Sequence, residues 1–165
     1  MSWIRIWKKS KKYYGWRHIT RACDELATQY NNDYPLPVKI VALARGGLVP
    51  ATILANKLGV RHVYSLGVSC YEQHVNGTER PGEFDVYQRI PTNTTKLRPD
   101  EYVLVVDDIS DKGTTFTYAE QFVKQTVGGN VVTMSVVVKP ETKFMPDHYY
   151  EQVKQDTWVV FPWEK

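Results

Sequence analysis

The residues best suited to chemistry lie in one stretch, Val105-Val106-Asp107-Asp108-Ile109-Ser110-Asp111-Lys112-Gly113-Thr114-Thr115. Asp107 and Asp108 follow an apolar run, and Asp111 to Thr115 reads as the turn that opens a helix. Each of two adjacent carboxylates can accept from one hydroxyl of a vicinal diol, and together they can hold Mg²⁺ directly or through water. Unpaired N–H groups at a helix N-terminus attract phosphate. Gly113 permits close backbone approach there, and Thr114 and Thr115 add hydroxyl donors. The stretch therefore suits a phosphorylated sugar and a divalent metal. A plainer reading, in which the acidic residues only cap the helix, accounts for one carboxylate but not for the whole pattern.

Two other functions share parts of the string. Asp107, Asp108 and Asp111 form a DDxxD pattern of the kind that binds Mg-diphosphate on the helices of prenyl-diphosphate synthases, but Tyr102 to Val106 reads here as a strand. Val105-Val106-Asp107-Asp108 also looks like the first strand of a response-regulator receiver. That fold needs a phosphorylatable aspartate about two strands later, and the one strong strand that follows ends in Lys139-Pro140.

The elements that must position these residues can be read from periodicity. From Trp16 to Tyr30, the residues Ile19, Ala22, Cys23, Leu26, Ala27 and Tyr30 recur at helical spacing and predict an amphipathic helix. Val38 to Ala44 reads as a buried strand ending at Arg45-Gly46-Gly47. Leu48 to Leu58 reads as a helix with Pro50 in its first turn and Gly59 at its end. Strands are expected at Val60–Ser69, Tyr102–Val106 and Val131–Val138, with Phe116, Ala119, Phe122, Val123 and Thr126 marking a helix between the last two. This alternation predicts a single α/β domain with a mainly parallel sheet covered on both faces. Between Tyr71 and Glu101 the polar, Gly- and Pro-containing composition predicts a flexible loop, 72–100, with one strand at Phe84–Ile90.

Length and composition agree with one domain, 16–165, behind a basic extension, 1–15: the chain has 165 residues, 42% hydrophobic and 24% charged. No run approaches the roughly 18 apolar residues of a membrane helix, and the first residues lack a signal peptide's apolar core, so a cytoplasmic protein with no membrane partner is expected. Cys23 and Cys70 are too few for a disulfide framework and lie in no Cys-x-x-Cys pair. The net charge of +3 is concentrated at Lys8, Lys9, Lys11, Lys12, Arg17 and Arg21. Such a cluster suits either a phosphate-rich substrate or a nucleic acid.

The acidic string resembles the signature of type I phosphoribosyltransferases. Leu43 to Pro50, Leu58 to Val63, Val138-Lys139-Pro140 and Gln155-Asp156-Thr157-Trp158 resemble, in order and approximate spacing, the bacterial xanthine-guanine phosphoribosyltransferases. The resemblance covers about 16–163, patchily through 72–100. It implies the type I fold with a small hood and a flexible lid loop, and transfer of a phosphoribosyl group from phosphoribosyl pyrophosphate to a 6-oxopurine in purine salvage. Mg²⁺ would be the cofactor and a homo-oligomer, dimer or tetramer, the assembly.

Residue by residue, the resemblance implies that Arg45 and Gly46 bind pyrophosphate in a loop with a cis peptide at Ala44-Arg45. Asp107 and Asp108 would hold ribose and metal, Asp108 the more directly. Asp111 would be the general base near purine N7, and Lys112, Gly113, Thr114 and Thr115 would cradle the 5′-phosphate. Lys139 would meet the 6-oxo group, Trp158 would stack on the base, and the Val159 backbone would contact the ring edge. Arg80 would reach pyrophosphate from the lid. Lys112 and Thr114 depart from the family's turn, the sequence stops soon after Trp163, and the basic extension has no counterpart. An alternative keeps the fold but makes the protein a nucleotide-sensing or nucleic-acid-binding regulator, on the strength of that basic segment with Trp3, Trp7 and Trp16 interleaved. Nucleic acid is not expected as a partner on the main reading, and a pyrimidine base is a further alternative.

Overall fold

The computed structural model describes residues 10–75 and 78–164, and side chains outside 70–83. The chain runs β1 (Lys11–Tyr13), α1 (Trp16–Asp33), β2 (Lys39–Ala44), α2 (Leu48–Leu58), β3 (His62–Val75), β4 (Thr78–Gln88) and β5 (Leu97–Ser110). It continues through α3 (Thr114–Thr126), β6 (Gly128–Val138), β7 (His148–Gln152), β8 (Trp158–Val160) and a 3₁₀ turn, Pro162–Glu164. Six strands form one sheet in the order β4-β3-β2-β5-β6-β7, and β1 pairs with β8 in a second, two-stranded sheet.

Every pairing of the large sheet is parallel except β3 with β4. Parallel strands need helical crossovers, which cover both faces. Alternation along the central strands divides the core accordingly. Ile40 and Ala42 of β2, with Leu104 and Val106 of β5, pack under α1 and α2. Val41, Leu43, Val103 and Val105 pack under α3. The six apolar positions expected on the first helix are its six buried residues, and Gly59 ends α2 in the left-handed conformation at φ 68°. The expected doubly covered parallel sheet is therefore the observed one.

Two sequence expectations are corrected. The segment read as the flexible loop 72–100 is mostly paired: β3 runs to Val75 and turns back through β4 as an antiparallel hairpin, and β5 begins at Leu97. Gly, Pro and charged residues mask a strand pattern when the pairing is long and one face is open to water. The second concerns the boundary at residue 16. Lys11–Tyr13 pairs with Trp158–Val160, and Tyr14 is buried, its ring stacked on Phe161 at 5.6 Å and its hydroxyl donating to Glu151 at 2.7 Å. Lys12 also bonds Glu151. Three-residue strands leave no readable period, which is why β1 and β8 escaped the sequence. Trp3, Trp7, Lys8 and Lys9 lie outside the described residues. No described helix is long and apolar enough to cross a membrane.

Because Tyr14 is buried within the same core as α1, Tyr14→Ala should destabilise the whole domain by about 3 kcal/mol, with an unchanged denaturant slope. Urea unfolding followed by circular dichroism measures this. A change below about 0.5 kcal/mol would mean that the segment is peripheral to the cooperative unit.

Candidate active site

Three strands deliver the candidate residues to one end of the sheet. At the carboxyl end of β2 the chain turns through Arg45-Gly46-Gly47 into α2, after a cis peptide between Ala44 and Arg45, as the family resemblance led us to expect. At the end of β5 stand Asp107 and Asp108, and at the end of β6 stands Lys139. Ligands collect in such crevices because the loops diverge there and helix N-termini face them.

The two loops fit against each other with no room to spare. A Cβ at Gly46 would overlap the Asp108 carboxylate, and one at Gly47 would lie 2.8 Å from the Leu43 carbonyl oxygen and closer still to that of Val106. Only glycine lets the β2–α2 turn lie on the acidic strand. Asp107 and Asp108 belong to β5 itself, which extends to Ser110 rather than ending at Val106 as the sequence suggested. Pairing with β6 continues through Asp107 with Ser135 and Ser110 with Val138. The Asp108 N–H donates to Asp107 Oδ1 at 2.9 Å.

Burial and the neighbouring carboxylate hold Asp107 well above the ordinary aspartate range. Burial pushes Asp108 up to about 6, and the Glu164 carboxylate adds to the rise. Both shifts mark a pair short of positive charge, which a divalent cation would supply. Among the described residues no three His, Cys, Asp or Glu side chains gather to hold a metal.

Next along the chain, Gly113 takes φ 81° and opens α3. It is wedged against Thr142 Oγ1 and the Phe144 backbone, so a side chain is excluded on two counts. The first helical hydrogen bond runs from Thr117 N–H to Gly113 O at 3.1 Å, so the amides of Thr114, Thr115 and Phe116 precede it. They line a cavity of about 340 Å³ together with Asp107, Asp111 and Lys112. The Ser110 hydroxyl fixes the opposite wall by donating to Phe144 O at 2.9 Å.

A second cavity, of about 610 Å³, is lined by Arg45, Gly46, Asp108, Trp163 and Glu164. A third, of about 200 Å³, lies between them and is bounded by Asp108, Ile109, Asp111, Lys139, Trp158, Val159, Phe161 and Glu164. In it Lys139, only 8% exposed, donates from Nζ to Asp111 Oδ2 at 3.1 Å. Trp158 is 56% exposed and presents its ring at the mouth. The predicted residues are thus brought together, with one exception. Arg80 is on β4, paired with Gln73, and its side chain lies outside the described residues. Sequence reasoning missed Trp163 and Glu164, although Glu164 Oε2 caps the Phe161 N–H at 2.8 Å and borders two cavities. Their nearness to Trp158 in the chain was the available signal.

A helix start with free amides, an acidic pair and a loop fitted to it by glycines lie together on an α/β fold of the type I phosphoribosyltransferase kind. The chain belongs to that family: the phosphoribosyl transferase domain model matches residues 9–164. It is 31% identical to a xanthine-guanine phosphoribosyltransferase of Idiomarina loihiensis over 163 residues, 96% of this chain and 90% of that relative. A xanthine-guanine phosphoribosyltransferase of Gluconobacter oxydans is 34% identical over 125 residues, 76% of this chain and 67% of that one. The crystal structure of a purine phosphoribosyltransferase from Pyrococcus horikoshii superposes with a TM-score of 0.78 at 30% identity, covering 94% of this chain and 95% of the other.

The raised carboxylates make the metal-free protein pH-sensitive. A pKa of about 6 in the fold, against 3.8 for a free aspartate, means that Asp108 contributes stability below pH 4 that is lost as pH rises through 6. The loss is at most about 3 kcal/mol. In chelator, Asp108→Asn should be more stable than the parent at pH 8, and the difference should vanish towards pH 4. Urea titrations across that range measure it, and equal stabilities at pH 8 would contradict the burial assigned to Asp108.

Proposed function

We propose that the chain transfers the 5-phosphoribosyl group from phosphoribosyl pyrophosphate to a 6-oxopurine (guanine, xanthine or hypoxanthine), releasing pyrophosphate in purine salvage. The observation that carries this reading is the Lys139–Asp111 pair at 3.1 Å beside the Trp158 ring. A donor and an acceptor side by side complement the edge of a 6-oxopurine, where O6 accepts and a protonated N7 donates. The flat aromatic supplies a stacking face. The names of both curated relatives and of the archaeal structure support the same substrate class.

On this reading each part of the site has one task. The α3 amides with Lys112, Gly113, Thr114 and Thr115 take the 5′-phosphate, and Asp107 and Asp108 take the ribose diol. The Arg45 guanidinium and the Gly46 backbone take pyrophosphate, joined by Arg80 if the hairpin carries it there. Mg²⁺ would be held by Asp107 and Asp108, two carboxylates raised chiefly by burial, and when bound it would supply charge that stabilises the departing pyrophosphate.

Lys139 holds O6, Trp158 stacks, and the Val159 backbone limits the ring edge, so N9 is directed at C1′. N9 bonds to C1′ as the C1′–oxygen bond to pyrophosphate breaks, the electron pair leaves with pyrophosphate, and the proton at N7 passes to Asp111. Lys139 beside Asp111 orients that carboxylate until the base arrives.

Mixing the protein with Mg²⁺, phosphoribosyl pyrophosphate and each common base in turn, and measuring pyrophosphate, tests the reading. Release is expected with 6-oxopurines and not with pyrimidines. Asp111→Asn should lower kcat by about 10²–10⁴-fold with the fold intact. Silence with every purine, together with salt-sensitive binding of DNA or RNA, would favour the regulator instead.

A further inference from the structure

We propose that Tyr87, on the β3–β4 hairpin, is a positioning residue for the pyrophosphate loop. Its hydroxyl donates to the Ala44 carbonyl oxygen at 2.9 Å, the carbonyl of the peptide that joins β2 to Arg45. Reaching it requires the side chain to cross β3, since the sheet order is β4-β3-β2.

Two backbone features make that crossing possible. Gly67 pairs with Gln88 and Val68 with Val86, so Tyr87 is the extra residue of a β-bulge. Bulges turn a side chain out of the regular alternation. The strand it must cross offers Gly67, the register partner of Ala44, and the Tyr87 ring occupies the space where a Gly67 side chain would stand. A bulge on one strand, a glycine on the next and a carbonyl on the third lie in one line.

The hydrogen bond completes a pattern in the loop. The Leu43 carbonyl accepts from Gly47 N–H at 2.9 Å, and the Arg45 carbonyl accepts from Leu48 N–H at 3.2 Å. With Tyr87 on Ala44, three successive carbonyls are engaged by protein donors. A carbonyl oxygen turned towards an anion repels it, so holding these oxygens elsewhere leaves the loop's positive groups, Arg45 above all, to meet the anion. Tyr87 is 56% exposed, and the single bond has the modest strength of a neutral pair near water. Its effect is therefore expected on anion affinity, with little effect on folding.

The inference rests on the proposed function for the identity of the anion. Tyr87→Phe keeps the ring over Gly67 and deletes only the hydroxyl. Titration of the full-length protein with Mg-pyrophosphate by calorimetry should show about fivefold weaker binding in this variant, the worth of one neutral hydrogen bond. The KM for phosphoribosyl pyrophosphate should rise by a similar factor, while the KM for the purine and the melting temperature stay at parent values. Gly67→Ala, which keeps the tyrosine but displaces its ring and with it the hydroxyl from the Ala44 carbonyl, should reproduce the pyrophosphate defect. Parent-like pyrophosphate affinity in Tyr87→Phe, or equal loss of base and pyrophosphate affinity, overturns the proposal. A parent protein that binds pyrophosphate but makes no nucleotide would sink the transfer reading alone, because the binding comparison still decides the role of Tyr87. A parent that binds no pyrophosphate overturns both.

Discussion

Two carboxylates held side by side at the buried end of a central strand are the constraint around which this protein is arranged. Asp107 and Asp108 lose water, Asp107 is further raised by the charge of Asp108 and Asp108 by that of Glu164, and both are pushed above the ordinary aspartate range. Buried carboxylate pairs of this kind recur at functional sites. The surroundings bring other groups close to it. The β2–α2 turn must come close enough to bring Arg45 to the pair, and Gly46 and Gly47 are the residues whose missing side chains allow it. The α3 N-terminus must lie on the far side, and Gly113 with its positive φ turns the chain there within five residues of Asp108. On the proposed reading, stability is given up at this strand end in exchange for a place where sugar, metal and two phosphate groups would meet.

The Trp158 side of the cavity depends on a different part of the molecule. Trp158 and Val159 sit on a strand of only three residues, too short to hold itself in place. Its partner is β1, and the pair is pinned by Trp158 N–H to Ser10 O at 2.7 Å and Tyr14 N–H to Val160 O at 2.9 Å. Below it, Glu151 collects Lys12 and the Tyr14 hydroxyl, with His18 Nε2 3.6 Å away. The stacked rings of Tyr14, Phe161 and Trp163 carry this small sheet onto α1. Asp108 and Lys139 thus stand on the main sheet and Trp158 and Val159 on a satellite, and they border one cavity around the Lys139–Asp111 contact.

The β3–β4 pair lies at one edge of the main sheet, where β3 pairs with β2, Phe84 stacks on Tyr118 of α3 at 4.5 Å, and Tyr87 reaches across β3 to the Ala44 carbonyl. Cys23, by contrast, needs no chemical role: burial in the α1 core pushes its thiol up to about 12, so it is an inert apolar side chain at physiological pH.

Local chemistry and short-range periodicity are written in the chain itself, and on those the sequence was sufficient. The 3.6-residue period of Ile19 to Tyr30, the apolar runs of β2, β5 and β6, and the acidic string with its glycine turn each depend on residues a few positions apart. They determined the parallel α/β fold and the family, and they named the residues that the fold gathers at the ends of β2, β5 and β6. Only the tertiary structure decided what depends on partners distant in sequence. Lys11 to Tyr13 become a strand because Trp158 to Val160 lie beside them, 147 residues on, and Gly- and Pro-bearing segments become a hairpin because each supplies the other's hydrogen bonds. Lys139 and Asp111, 28 residues apart, and Tyr87 and Ala44, 43 apart, are likewise joined by the sheet order. The physical reason is that a backbone hydrogen bond or a side-chain contact is indifferent to chain separation, whereas a sequence pattern shows only what recurs within a turn or a strand.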